Sequence, residues 1–232
     1  MRIFALLLPI LLLSCREEVD RDPFPELKRA TAPINSGAFS TEEARERLGG
    51  AEAVLEFADI SEGMTVADIG AGQGYYTIHL ARAVGETGRV LAEEIVPDTR
   101  DQLAQRVQRE RLDNVAVVLG LPDDPRLPVA SFDRVLMAHV YHEVEQPYGL
   151  LWRIAGSMKP GGLLVVVESE RPVRRHGIPF LLLTCELNAL GFALDRKQAL
   201  AGAESYVAVY RLDGARPAPE AIEPCDLELP ED

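Results

Sequence analysis

The stretch Asp68-Ile69-Gly70-Ala71-Gly72-Gln73-Gly74 sets glycines at alternate positions behind an acid, at the end of the apolar run Val66-Ala67. A strand that breaks into glycines and then enters a helical pattern makes a tight turn. Its main chain can approach a ligand closely, because glycine has no Cβ and tolerates positive φ. A dinucleotide fingerprint would need another glycine three residues after Gly72, where Tyr75 stands, so NAD is disfavoured. A second reactive group, His139-Val140-Tyr141-His142-Glu143, follows later in the chain. His139, His142 and Glu143 could deprotonate an acceptor or ligate a metal, and a hydrogen-bonded loop is the third reading. No further ligand falls at zinc-like spacing, so no metal is expected.

The elements that must carry these residues follow from hydrophobic periodicity. Strands are expected over 64–69, 89–94, 115–119, 132–138 and 163–168, and helices over 75–84, 98–110 and 146–158. Runs such as Val165-Val166-Val167, with no polar alternation, suit parallel strands covered on both faces. The alternation therefore predicts an α/β, doubly wound, mostly parallel sheet. Lys159-Pro160-Gly161-Gly162 reads as a helix stop turning into the next strand. A helical stretch near 177–190 precedes a closing pair of strands, Phe192–Asp195 and Ser205–Leu212. Upstream, Ser40-Thr41-Glu42-Glu43 reads as a capping box ahead of a helical pattern from Ala44 to Ala58, with Gly49-Gly50 as a break.

Alternate glycines after an acid resemble motif I of the class I S-adenosylmethionine-dependent methyltransferases, and the likeness extends in unbroken order over about residues 41–212. The resemblance implies a seven-stranded Rossmann-like sheet with an antiparallel C-terminal strand and S-adenosyl-L-methionine as cofactor. It implies that Asp68 holds the methionine amino group and that Gly70, Ala71, Gly72 and Gly74, with Tyr75 behind them, pass close to the cofactor. Glu94, followed by Ile95, would accept both ribose hydroxyls, while Glu93, by strand alternation, should face elsewhere. Leu121 occupies the position where many relatives carry an adenine-binding aspartate, which leaves its backbone amide and Asp123 as substitutes. The carbonyl of Ala138 would face the methionine amine, and His139, Tyr141, His142 and Glu143 would face the acceptor as catalytic candidates. An Asn-Pro-Pro-Tyr type of motif is absent there, and so is the strand-end aspartate of catechol-type enzymes.

A chain of 232 residues with 47% hydrophobic composition has material for one well-buried domain, and its net charge of −13 would repel a polyanion. The expected acceptor is thus a small molecule or membrane-associated, without nucleic acid. Residues 1–14 read as a signal peptide, with Arg2 ahead of an apolar Ile3–Leu13 too short to span a bilayer. Leu12-Leu13-Ser14-Cys15 resembles a bacterial lipobox, which makes Cys15 a lipidated membrane anchor and the chain a lipoprotein of the cell envelope facing the periplasm; a mis-assigned start would make it cytoplasmic. Residues 15–39 read as a mobile linker, 40–212 as the methyltransferase domain and 213–232 as a disordered, acidic, proline-rich tail. An exported chain could pair Cys185 with Cys225, though the spacing does not demand it, and Cys185, in an apolar stretch, reads more simply as a buried small hydrophobe. Export conflicts with a cofactor made in the cytosol, so the rival expectation is a non-catalytic lipoprotein that keeps the fold as a ligand-binding module.

Overall fold

The computed structural model describes residues 23–34, 42, 50–201 and 204–227. The expected signal segment and Cys15 lie outside these residues, as do Ser40, Thr41 and Glu43 of the capping box. In chain order the elements are α1 (Gly50–Phe57), β1 (Thr65–Ile69), α2 (Tyr75–Val84), β2 (Arg89–Glu94), α3 (Pro97–Glu110), β3 (Val115–Leu119), β4 (Phe132–Ala138), α4 (Pro147–Ser157), β5 (Met158–Ser169), α5 (Phe180–Asn188), β6 (Phe192–Ala199) and β7 (Ser205–Leu212).

The strands form one seven-stranded sheet in the order β3-β2-β1-β4-β5-β7-β6. Pairing is parallel from β3 to β5, and β7 is antiparallel to both β5 and β6. The alternation of side chains along a strand divides the core between the two faces. Ala67, Val135, Met137, Leu164 and Val166 pack with Leu151 and Ile154 of α4 and Leu183 and Leu187 of α5. Val66, Leu136, Val165 and Val167 pack with Val54 of α1 and Leu80 and Val84 of α2. Both faces are dry, which explains the unbroken valine run of β5. The chain leaves β1 for neighbours on opposite sides, β2 and β4, so a crevice opens at their carboxyl ends, where open α/β sheets bind ligands.

The expected elements are present with shifted ends. β5 begins early because Lys159-Pro160-Gly161-Gly162 lies inside it as a bulge, between the pairs Phe132↔Met158 and Arg134↔Leu163. β6 continues past residue 195 to Ala199 through an irregularity between Leu194 and Arg196.

Both terminal segments depart from expectation more strongly. The described part of the expected linker is packed. Phe24 is buried against Trp152, with ring centroids 5.7 Å apart; Arg29 Nε donates to Glu186 Oε1 at 2.8 Å, and Ala32 N–H donates to the His142 carbonyl at 3.1 Å. The tail expected to be disordered is ordered over its described residues. Cys225 is disulfide-bonded to Cys185 of α5, Ile222 is buried, and Trp152 Nε1 donates to the Pro217 carbonyl at 2.9 Å while Arg216 stacks 3.4 Å above its ring. Lys28 Nζ joins Asp226 at 2.6 Å, linking the two straps. A few apolar anchors and one covalent bond hold segments whose average composition is that of a solvated chain.

Candidate functional site at the carboxyl edge of the sheet

At the head of β1 the main chain turns through Gly70 and Gly72 with φ of +64° and +56°. A Cβ on Gly70 would come within 2.5 Å of Val140 Cγ2, whereas one on Gly72 would meet no atom of the described residues within 4 Å. Among the described residues, the loop is closed at Gly70 and open at Gly72. Ala71 N–H donates to the Glu93 carbonyl at 2.8 Å and Gly74 N–H to the Ala71 carbonyl at 2.9 Å, so the bend is held by its own backbone ahead of α2.

Three carboxyl groups surround this loop. Asp68 is buried and accepts from Thr77 Oγ1 at 2.7 Å; burial raises its pKa to about 7 against the Thr77 hydrogen bond, with the nearby Glu94 adding to the rise. Glu94 faces the loop: its Oε2 accepts from Gly72 N–H at 3.0 Å and its Oε1 from Val96 N–H at 2.8 Å. Ile95 lies between them, half-buried. Each carboxylate oxygen has a second lone pair, so Glu94 can also accept from a pair of hydroxyls.

Glu93, expected to face elsewhere, turns into the same corner. Its Oε2 accepts from Gly70 N–H at 3.2 Å, and its Oε1 is buried with no hydrogen-bond partner among the described residues. A Cβ on Gly120 would fall 1.6 Å from that oxygen, so the absence of a side chain at the end of β3 makes room for it. Burial raises the Glu93 pKa to about 8 against the Gly70 hydrogen bond, with Glu94, Asp68 and Asp124 adding to it. The sequence signal was available in the acidic pair closing β2 beside a glycine that closes β3.

Other expected cofactor residues are engaged within the protein. The Tyr75 hydroxyl accepts from Ala51 N–H at 3.0 Å, so its ring pins α1 to α2. Leu121 N–H already donates to the Asp124 carbonyl at 2.8 Å, closing a turn on itself. The Asp123 carboxylate lies 3.4 Å from Arg153 Nη2 of α4, which also bonds the Asp123 carbonyl through Nη1. Both proposed adenine substitutes thus already have partners within the protein.

At the end of β4, Ala138 is followed by His139, which is exposed with φ +57° and whose N–H donates to the Val167 carbonyl at 2.8 Å. Tyr141, a catalytic candidate from sequence, is wholly buried and donates to Glu186 Oε2 at 2.7 Å; burial, with the Glu186 charge adding to it, puts its pKa well above the ordinary value. It anchors α5 and faces no acceptor. His142 is buried with Nδ1 at 2.9 Å from both oxygens of Glu168, the fully buried residue that follows the valines of β5. Donation of Nδ1–H to Glu168 leaves Nε2 as an acceptor or ligand atom. Glu143 Oε1 lies 3.8 Å from that Nε2 and 3.9 Å from Nδ1 of His176. Glu168 and His176 escape a reading of local motifs, since they come to His142 from another strand and another turn.

The open space over Gly72, the Glu94 carboxylate across it and the buried Asp68 below fit S-adenosylmethionine, which carries a ribose to be accepted and a cationic amino acid end to be neutralised. Comparison with known proteins agrees. Residues 67–166 match the family model for a methyltransferase domain. The protein-L-isoaspartate O-methyltransferase of Methanothrix thermoacetophila is 27% identical over 131 residues, 56% of this chain and 57% of its own length. The tRNA (adenine(58)-N(1))-methyltransferase TrmI of Thermus thermophilus is 33% identical over 141 residues, 57% of this chain and 52% of its own. The chain thus spans about half the length of these curated relatives. A structure described as a SAM dependent methyltransferase from Aquifex aeolicus superposes with a TM-score of 0.66 at 22% identity, covering 75% of this chain and 100% of that one; the fold is the Rossmann-like methyltransferase fold. One relative is named for a tRNA substrate, so negative charge alone does not exclude nucleic acid as an acceptor.

Proposed function

We propose that the chain is an S-adenosylmethionine-dependent methyltransferase acting on a small-molecule or membrane-associated acceptor, exported and held to a membrane by lipid on Cys15. The observation that carries the enzymatic part is the open backbone cradle at Gly72 with Glu94 facing it. When bound, the cofactor supplies a sulfonium methyl group whose leaving group is neutral, so the protein's work is chiefly alignment and exclusion of water. Asp68 takes the ammonium group, Glu94 the ribose hydroxyls, and Val140, packed over Gly70, ties the loop after β4 to the cofactor loop. The acceptor side is the face formed by His142 and Glu143. The net charge of −13 supports an acceptor other than a polyanion.

The Cys185–Cys225 disulfide supports export, because such bonds persist in oxidising compartments. It also favours a second reading, a binding module without transfer, since the cofactor is made in the cytosol and fold alone does not fix a reaction. Calorimetric titration of the full chain with S-adenosylhomocysteine and with NAD tests the binding site: saturation by the first alone supports the proposal, and saturation by NAD or by neither contradicts it. Methyl-labelled cofactor incubated with membrane and small-molecule extracts separates the two readings, label transfer marking the enzyme and bound, unconsumed label the module. Mass spectrometry of the mature N-terminus tests Cys15, diacylation being the expected result.

A further inference from the structure

We propose that His142, Glu143 and His176 bind one divalent transition-metal ion of the zinc type. Nε2 of His142, a carboxylate oxygen of Glu143 and a ring nitrogen of His176 lie within 4.8 Å of one another, the one such group among the described residues. The two imidazoles meet edge to face with centroids 5.6 Å apart, and Glu143 lies between them. Tetrahedral zinc, with bonds of about 2.0–2.2 Å, sets its ligand atoms roughly 3.3 Å apart. The observed 3.8 and 3.9 Å to Glu143 therefore need about half an ångström of closure, and the two ring nitrogens, within 4.8 Å of each other, up to about 1.5 Å shared between the side chains. Glu143 and His176 sit on short 3₁₀ turns, Tyr141–Glu143 and the residue capping Val173–Arg175, which can give by that amount.

Glu168 supplies an independent observation. A carboxylate with no exposure, both oxygens on Nδ1 of His142, is the outer partner that metal-bound histidines typically have: it orients the ring and directs the Nε2 lone pair outward. Together the corner holds two carboxylates and two imidazoles, a charge and donor set that a dication balances. Three protein ligands leave one position open, as in catalytic rather than structural zinc sites. On the methyltransferase reading, with which this role and not the binding itself stands, that position would take an oxygen or sulfur atom of the acceptor.

The test uses the full chain, stripped by a chelator and titrated with zinc sulfate, expecting one equivalent bound; cobalt(II) in its place is expected to give the visible bands of a four-coordinate ion. His176→Ala and Glu143→Gln should each weaken zinc binding by about 100-fold or more, as loss of one of three protein ligands implies. Glu168→Gln should weaken it by roughly 10–100-fold through the ring it orients. His176 is partly exposed, so its variant is expected to keep the parent's circular dichroism. No saturable binding by the folded chain, or equal affinity in the His176 and Glu143 variants, overturns the proposal. S-adenosylhomocysteine titration of the same samples separates the two ideas: zinc without nucleoside binding sinks the methyltransferase reading alone, and nucleoside without zinc binding sinks this site alone.

Discussion

At the β1–β2 end of the sheet's carboxyl edge, acidic side chains meet main-chain N–H groups: Glu94 on Gly72 and Val96, Glu93 on Gly70. At the β4–β5 end, acids meet imidazoles: Glu168 on His142, and Glu143 between His142 and His176. A site built from backbone must bend the chain locally and so leaves a spaced glycine signature. A site built from side chains draws its members from distant segments and shows only in part, as His142 and Glu143 do without Glu168 and His176. The first arrangement recognises a ligand by close approach, the second by the chemistry of its donor atoms.

The contrast predicts different modes of failure. His142→Ala should be the most damaging change. It strips the buried Glu168 of its main partner, which typically costs about 3–5 kcal/mol, and urea midpoints measured with chelator present should fall accordingly while Glu143→Gln stays near the parent. If the two variants lose equal stability, the buried pair is not the structural member of that cluster.

Within the glycine loop, Gly70→Ala should lose roughly 3 kcal/mol, from left-handed strain plus collision with Val140. Gly72→Ala should lose only about 1–2 kcal/mol, from strain alone, yet weaken S-adenosylhomocysteine binding at least as much as Gly70→Ala does. Thermal unfolding beside calorimetry checks both. Retained binding in a folded Gly72→Ala chain would show that the open cradle is not where the ligand lies.

The acids of the β1–β2 end also give a pH dependence. Folding raises Glu93 from 4.5 to about 8 and Asp68 from 3.8 to about 7, mainly through burial. Both groups hold more protons folded than unfolded, so their contribution is complete below about pH 4 and is lost as pH rises through 7 and 8. Stability should fall steadily as pH rises from 5 to 9, and Glu93→Gln, which cannot ionise, should flatten the profile. An unchanged slope in that variant would remove Glu93 from the account. A cationic ligand end favours the ionised acids, so nucleoside binding near pH 7 should release a fraction of a proton, read from titrations in buffers of different ionisation enthalpy.

These two ends also explain what could be read before the fold was seen. The strands and helices from 64 to 212 and the β1 loop follow from periodicity and glycine placement, both local properties. Glu93 did not, because strand alternation ignores the space that Gly120 leaves on the neighbouring strand. Tyr75 and Tyr141 adjoin the two motifs in sequence, while hydrogen bonds with Ala51 and Glu186 make each a structural pin. The straps at 23–34 and 213–227 were hidden by polar composition: their order rests on Phe24, Ile222 and the Cys185–Cys225 bond, few residues in long segments.

The most direct test is a structure of the full chain with S-adenosylhomocysteine. The account predicts the nucleoside lying over Gly72, both ribose hydroxyls on the Glu94 carboxylate and the amino group at Asp68. Density for the nucleoside elsewhere, or a Glu94 still engaged only with Gly72 and Val96 beneath a bound ligand, would contradict it.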